Sequence, residues 1–143
     1  MMKHTCTRLF SLLLTGTLLM AGAITAQAAE NKAQAKAQAV GLVFHADWCG
    51  SCKVMDPNIK EAREALGDAP VLFVVLDHTN DATRAQAKMM AEALGYGEIY
   101  QERGGRTGAM LLVNTESGKV IETVTRTDTP ESIKAKVKAA MGG

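Results

Sequence analysis

The sequence predicts an α/β domain built on one mixed, four-stranded sheet with flanking helices, and three observations predict it. Two apolar runs, Val40 to Phe44 and the uninterrupted Val71 to Leu76, have the length and branched-aliphatic content of buried strands. Each is followed by a segment whose apolar residues recur at helical spacing. Two shorter runs, Met110 to Val113 and Val120 to Val124, flank the turn Glu116-Ser117-Gly118 and read as an antiparallel hairpin. The expected order is strand, helix, strand, helix, strand, strand, helix, with no internal repeat.

Each element has a local reason. The strand from Val40 ends where Trp48 begins a loop, and a helix follows from Gly50 to Leu66, with Val54, Ile59, Ala62 and Leu66 spaced to bury one face. Pro57 lies inside it and should kink it, because proline removes a backbone donor and crowds the preceding turn. Gly67-Asp68 stops it. Val71 to Leu76 reads as the strand at the centre of the sheet. Asn80 or Asp81 caps the next helix, which runs to about Leu94 with an apolar stripe of Ala82, Ala85, Met89 and Ala93; Met89 and Met90 are expected to pack. A glycine-rich connection spans Gly95 to Gly108. After the hairpin, Thr129 caps a last helix with Pro130 in its first position and Ile133, Val137 and Met141 on its inner face.

The N-terminal part is read separately. Lys3 and Arg8 form a basic start, Leu9 to Ala23 an apolar centre without an acid, and Ala26-Gln27-Ala28 a small-x-small cleavage site. Residues 1–28 therefore read as a secretory signal peptide, which would remove Cys6 and deliver the product to the periplasm. Thr15, Gly16, Thr17 and Gly22 interrupt an apolar stretch shorter than the ~20 residues of a membrane span. Residues 29–39, rich in Ala, Lys and Gln, read as a spacer or short helix, and residues 40–143 as the working domain. Of 16 basic residues 14 lie beyond the leader, against 15 acidic ones, so the mature chain is nearly neutral. That argues against nucleic-acid and anionic-membrane binding, which need a concentrated basic face.

The chemistry concentrates in Trp48-Cys49-Gly50-Ser51-Cys52-Lys53, directly after the first strand. Two cysteines three apart on a first helical turn can close a small disulfide without moving the backbone, and the helix start favours the thiolate of the outer one. Cys49 is thus the expected nucleophile and Cys52 the resolving thiol. Half of a zinc ribbon has the same spacing, but a ribbon needs a second pair and none is present.

Element order and motif together carry a resemblance. Phe44 to Lys53, with Pro57, is similar to the active-site strand, motif and helix of the thioredoxin family, and the similarity covers about Val40 to Met141. Ala46-Asp47-Trp48-Cys49 also resembles the C-terminal thioredoxin-like domain of transmembrane disulfide reductases. The resemblance implies a thioredoxin-like fold and a thiol:disulfide oxidoreductase, with Cys49 and Cys52 catalytic and Trp48, Gly50, Ser51 and Lys53 completing the motif. No cofactor beyond a redox-active Cys49–Cys52 disulfide, and no resident metal, is implied. The expected partners are a disulfide-bearing protein substrate and a membrane electron donor, with the chain itself a monomer.

The departures from that family are specific. Val43 stands where a buried acid is usual, six residues before the first cysteine, and Phe73 stands near the place of an accompanying lysine. Thr107-Gly108 takes the place of the family's cis-proline loop, the candidate substrate loop, which Tyr96 to Arg106 would help rebuild. Without proline a cis bond costs ~3 kcal/mol, so a trans or mobile loop is expected. Trp48 is expected to shield the disulfide, and Glu102, Arg103 and Arg106 to form a solvated face. His45 and His78 could join the thiols around copper or zinc. The leading expectation is reduction of specific partners, because Gly50-Ser51 supplies no histidine or cation to acidify Cys49 strongly. A copper or zinc carrier is the alternative.

Overall fold

The computed structural model describes residues 36–142. The signal peptide, Cys6 and most of the spacer lie outside the described residues. The order is β1 (Ala39–His45), α1 (Gly50–Leu66), β2 (Val71–Asp77), α2 (Asp81–Ala93), α3 (Gly97–Arg103), β3 (Ala109–Asn114), β4 (Val120–Val124) and α4 (Pro130–Gly142). The sheet runs β2-β1-β3-β4, with β1 parallel to β2 and antiparallel to β3. β3 and β4 form the expected hairpin, with an irregularity between Leu112 and Val113.

Alternation along β1 divides the core. Ala39 and Val43 face α1 and α4, packing with Met55, Ile59, Ala62, Ile133, Val137 and Ala140. Val40, Leu42 and Phe44 face α2 and α3, packing with Ala87, Ala91 and Tyr100. Because side chains alternate along a strand, His45 belongs to the α1 side and Phe44 to the other.

Several expectations hold and several do not. The bounds of α1 and β4 are as expected, and Gly67 ends α1 with a positive φ of 56°. The buried face of α1, however, runs Cys52, Met55, Ile59, Ala62; Val54 is exposed. β2 is not the central strand. Among the described residues it is an edge, β1 is central, and Leu72 and Val75 are exposed. Apolar content reported that strand's affinity for a sheet, not its place in it. On α2 the stripe is Ala87 and Ala91, while Met89 and Met90 are exposed. Alanines occupy several faces of that helix, so their spacing selects none. Asn80 caps it in a reciprocal box with Thr83. The Gly95–Gly108 connection contains α3, which sequence reading missed. In α4 Ala140 is fully buried and Met141 only partly. Order also begins before Val40: Ala39 is in β1, Gln38 donates to the Pro70 carbonyl (2.7 Å), and the Ala37 carbonyl accepts from the Thr115 hydroxyl (2.6 Å).

Asp128 joins the two helices on the first face. Its carboxylate accepts from Lys136 Nζ (2.8 Å), the Ser132 hydroxyl (2.6 Å) and the Thr125 N–H (2.8 Å), while its carbonyl accepts from Asn58 on α1 (3.0 Å). Burial alone would raise its pKa, but these donors together hold it at about 2. The folded value lies below the unfolded one. The stabilisation is therefore complete above the ordinary carboxylate range and is lost as pH falls toward 2. Asp128→Asn is expected to cost about 2 kcal/mol at neutral pH and to flatten the acid limb of stability, measured by urea unfolding between pH 7 and 2.5.

Candidate active site

The motif loop leaves the central strand at its C-terminal end and turns at once into α1. The Cys49 N–H donates to the Ala46 carbonyl (3.0 Å), which closes the turn. Cys49 is then the N-cap of α1, and its Sγ accepts from the Cys52 N–H (3.2 Å). A sulfur in that position receives a backbone donor and the positive end of the helix, and both favour its thiolate. The first turn of α1 holds no acidic residue to oppose this.

Cys49 and Cys52 form a disulfide with their Cα atoms 5.3 Å apart. Cys49 retains 7% of its surface and Cys52 none. What exposure the pair keeps lies on Cys49. Cys52 Sγ lies 3.7 Å from the Phe44 carbonyl, to which its S–H can donate in the dithiol form. Ala46 is the third member of this small buried cluster.

The loop after β2 braces the motif. Asp47 N–H donates to the Thr79 hydroxyl (3.0 Å), and the Trp48 indole N–H donates to the Thr79 carbonyl (3.1 Å). Thr79 is fixed in turn by Asp77, which accepts from its hydroxyl (2.6 Å) and its N–H (2.8 Å). The Thr79 hydroxyl chiefly lowers the Asp77 pKa against the opposing effect of burial; the Thr79 N–H, His45 and His78 lower it further. Trp48, expected as a shield, instead keeps 61% of its surface exposed and is held by its indole nitrogen. Lys53 is exposed, and space around Gly50 is open.

Gly108 closes the other side. Its N–H donates to the same Phe44 carbonyl (2.9 Å), and its φ is 78°. A Cβ there would lie 2.9 Å from Ser51 Cβ and 3.4 Å from Cys49 Sγ. The Thr107-Gly108 loop therefore lies against the motif, and among the described residues every peptide bond is trans. The loop is trans, as expected, and proline at 108 would not restore the family's groove. Proline fixes φ near −65° and lacks the N–H that Phe44 receives. Beside this loop α3 ends in a clasp in which Arg103 and Arg106 each donate Nε to the other's carbonyl (2.9 and 2.8 Å). Arg106 also donates to the Glu102 carbonyl, and the Arg103 guanidinium lies 5.6 Å from the Phe44 ring centroid. Arg103 is half-buried, which lowers its pKa, as does neighbouring Arg106.

The two histidines do not meet. His45 Nε2 is 3.1 Å from Asp56 on α1. His78 is buried on the opposite face, against Phe44 and Tyr100, with neither ring nitrogen hydrogen-bonded. Burial chiefly, then Arg84, lowers the His78 pKa, against Asp77. The expectation that both could join the thiols around a metal fails on this placement, because the sheet separates them. Neither the His45–Asp56 pair nor the Thr79 brace was anticipated from sequence.

An oxidisable cysteine pair at the head of the helix that follows a central strand, its outer member slightly exposed and its inner one fully buried, defines a dithiol–disulfide exchange protein. The thioredoxin family model matches residues 22–94, half of the chain, and the chain belongs to that family. It is a thiol:disulfide oxidoreductase carrying the Cys49–Cys52 pair. No match to a curated protein is found. Among solved structures, a thiol:disulfide interchange protein of the thioredoxin family from Chlorobium tepidum TLS is similar, at 18% identity and a TM-score of 0.53, over 78% of this chain and 85% of the other. StoA from Bacillus subtilis is similar at 23% identity and a TM-score of 0.49, over 71% of this chain and 83% of the other.

Proposed function

We propose that this protein is a periplasmic reductase of disulfides in specific partner proteins, recharged by a membrane electron donor. The observation that carries the reading is the asymmetry of the pair: Cys49, at the helix cap, keeps a small exposed surface, and Cys52 keeps none. Cys49 thiolate attacks one sulfur of the substrate disulfide, forming a mixed disulfide and expelling the other sulfur as a thiolate. Cys52 thiolate then attacks Cys49 Sγ, closing the intramolecular disulfide and releasing the second substrate thiol. Two electrons pass to the substrate, and the donor must return two to reopen Cys49–Cys52. In an oxidising compartment no ambient pool keeps a dithiol reduced, so a dedicated donor follows from the location.

Equilibration with glutathione tests the direction. A potential near about −270 mV is expected for a reductase, and one near about −120 mV would overturn that assignment in favour of an oxidant. The location is tested by the intact mass of protein recovered from the periplasm, which is expected to begin at Ala29; full-length chain in the membrane fraction would overturn it.

A further inference from the structure

Ring closure requires Cys52 to lose a proton, and Cys52 has no exposed surface through which to lose it. The position facing α1 from the middle of β1 is Val43, which takes no proton. Two residues further along the same face is His45, bonded through Nε2 to Asp56, and Asp56 lies one helical turn beyond Cys52 on α1. His45 follows Phe44, whose carbonyl is the neighbour of Cys52 Sγ. An open-sided cavity of about 310 Å³ runs from this pair between α1 and the β1–β2 face.

We propose that His45 is the proton acceptor for Cys52 during resolution of the mixed disulfide, with Asp56 positioning it. A carboxylate on Nε2 favours the tautomer with the proton there, leaving Nδ1 as the basic nitrogen. Cys52 Sγ–H gives its proton to Nδ1, and the cavity, which His45 lines, opens the imidazole to solvent. The resulting thiolate attacks Cys49 Sγ, the bond from Cys49 to the substrate sulfur breaks, and the departing thiolate takes up a proton. Asp56 stabilises the imidazolium in the interval. Of the other charged groups on this face, Lys60 and Arg63 of α1 line the cavity, and Asp77 of β2, the register partner of His45, is held by Thr79.

The inference rests on the exchange mechanism above, and the test separates the two. Reduced protein is mixed with excess of an aromatic disulfide in a stopped-flow instrument, so that a concentration-dependent burst reports attack by Cys49 and a concentration-independent phase reports closure by Cys52. His45→Gln is expected to leave the burst unchanged and to slow closure at neutral pH on the order of 10- to 100-fold. Raising the pH should erase the deficit, since Cys52 then ionises without assistance. Asp56→Asn should slow closure less, with the same pH dependence. Closure unchanged in His45→Gln, slowed equally at every pH, or slowed together with the burst would overturn the role of His45. A wild-type protein without any burst would instead overturn the exchange mechanism itself.

Discussion

Cys49→Ser is expected to abolish disulfide exchange, whereas Cys52→Ser should still attack and then remain covalently bound to its partner. The difference follows from access. Cys49 Sγ sits at the surface end of α1, with a backbone N–H donated to it. Serine there leaves only the buried Cys52, which no substrate sulfur can approach without opening the helix end. Serine at 52 leaves the attacking thiol intact but removes the group that expels the product. Non-reducing gels of the two variants, incubated with periplasmic extract, should show mixed disulfides with Cys52→Ser alone. Equal trapping by both, or turnover by Cys49→Ser, would reverse the roles.

Gly108→Pro is expected to be the most damaging single change outside the cysteines. It forces a φ of 78° toward −65°, removes the N–H donated to Phe44, and places ring atoms where even a Cβ would meet Ser51 and Cys49. The lost hydrogen bond and the conformational strain together amount to about 3 kcal/mol. For a domain of this size that corresponds to a fall in Tm of more than about 10 °C, measurable by calorimetry. Gly108→Ala keeps the N–H and isolates the steric part: it should lose less stability yet still impair exchange, because its methyl group meets Ser51 and approaches Cys49 Sγ. A Gly108→Pro protein as stable and active as the parent would show that the loop readily adopts another conformation.

The parts of the fold that were legible are those set by local chemistry. The limits of α1 follow from the motif loop and from Gly67, and the hairpin from its turn; Pro130 marks the start of α4. What was not legible depends on neighbours. The β2 run is as apolar as a central strand, yet its place at the edge is decided by which strand pairs on its far side, and nothing within Val71 to Leu76 encodes that. The face of α2 is hidden because alanine contributes little contrast between helix faces. At the site, Cys49 and Cys52 were readable because their spacing is itself the chemistry. The His45–Asp56 pair was not, since its members come from different elements. The departure at Gly108 was visible, but its left-handed backbone and its contact with Ser51 were not, because glycine permits so many conformations that its presence specifies none.

Three successive carbonyls at the end of β1 each accept a hydrogen bond from a different part of the site: Phe44 from Gly108, His45 from His78, and Ala46 from Cys49. The scaffold of the reactive pair is thus written in peptide groups, which every residue possesses. None of these bonds uses the side chain of His45, so substitution there can change what the site recognises or how it handles protons while the sulfurs keep their places. That separation lets one architecture be retuned from one client to another by substitutions that leave its frame unaltered.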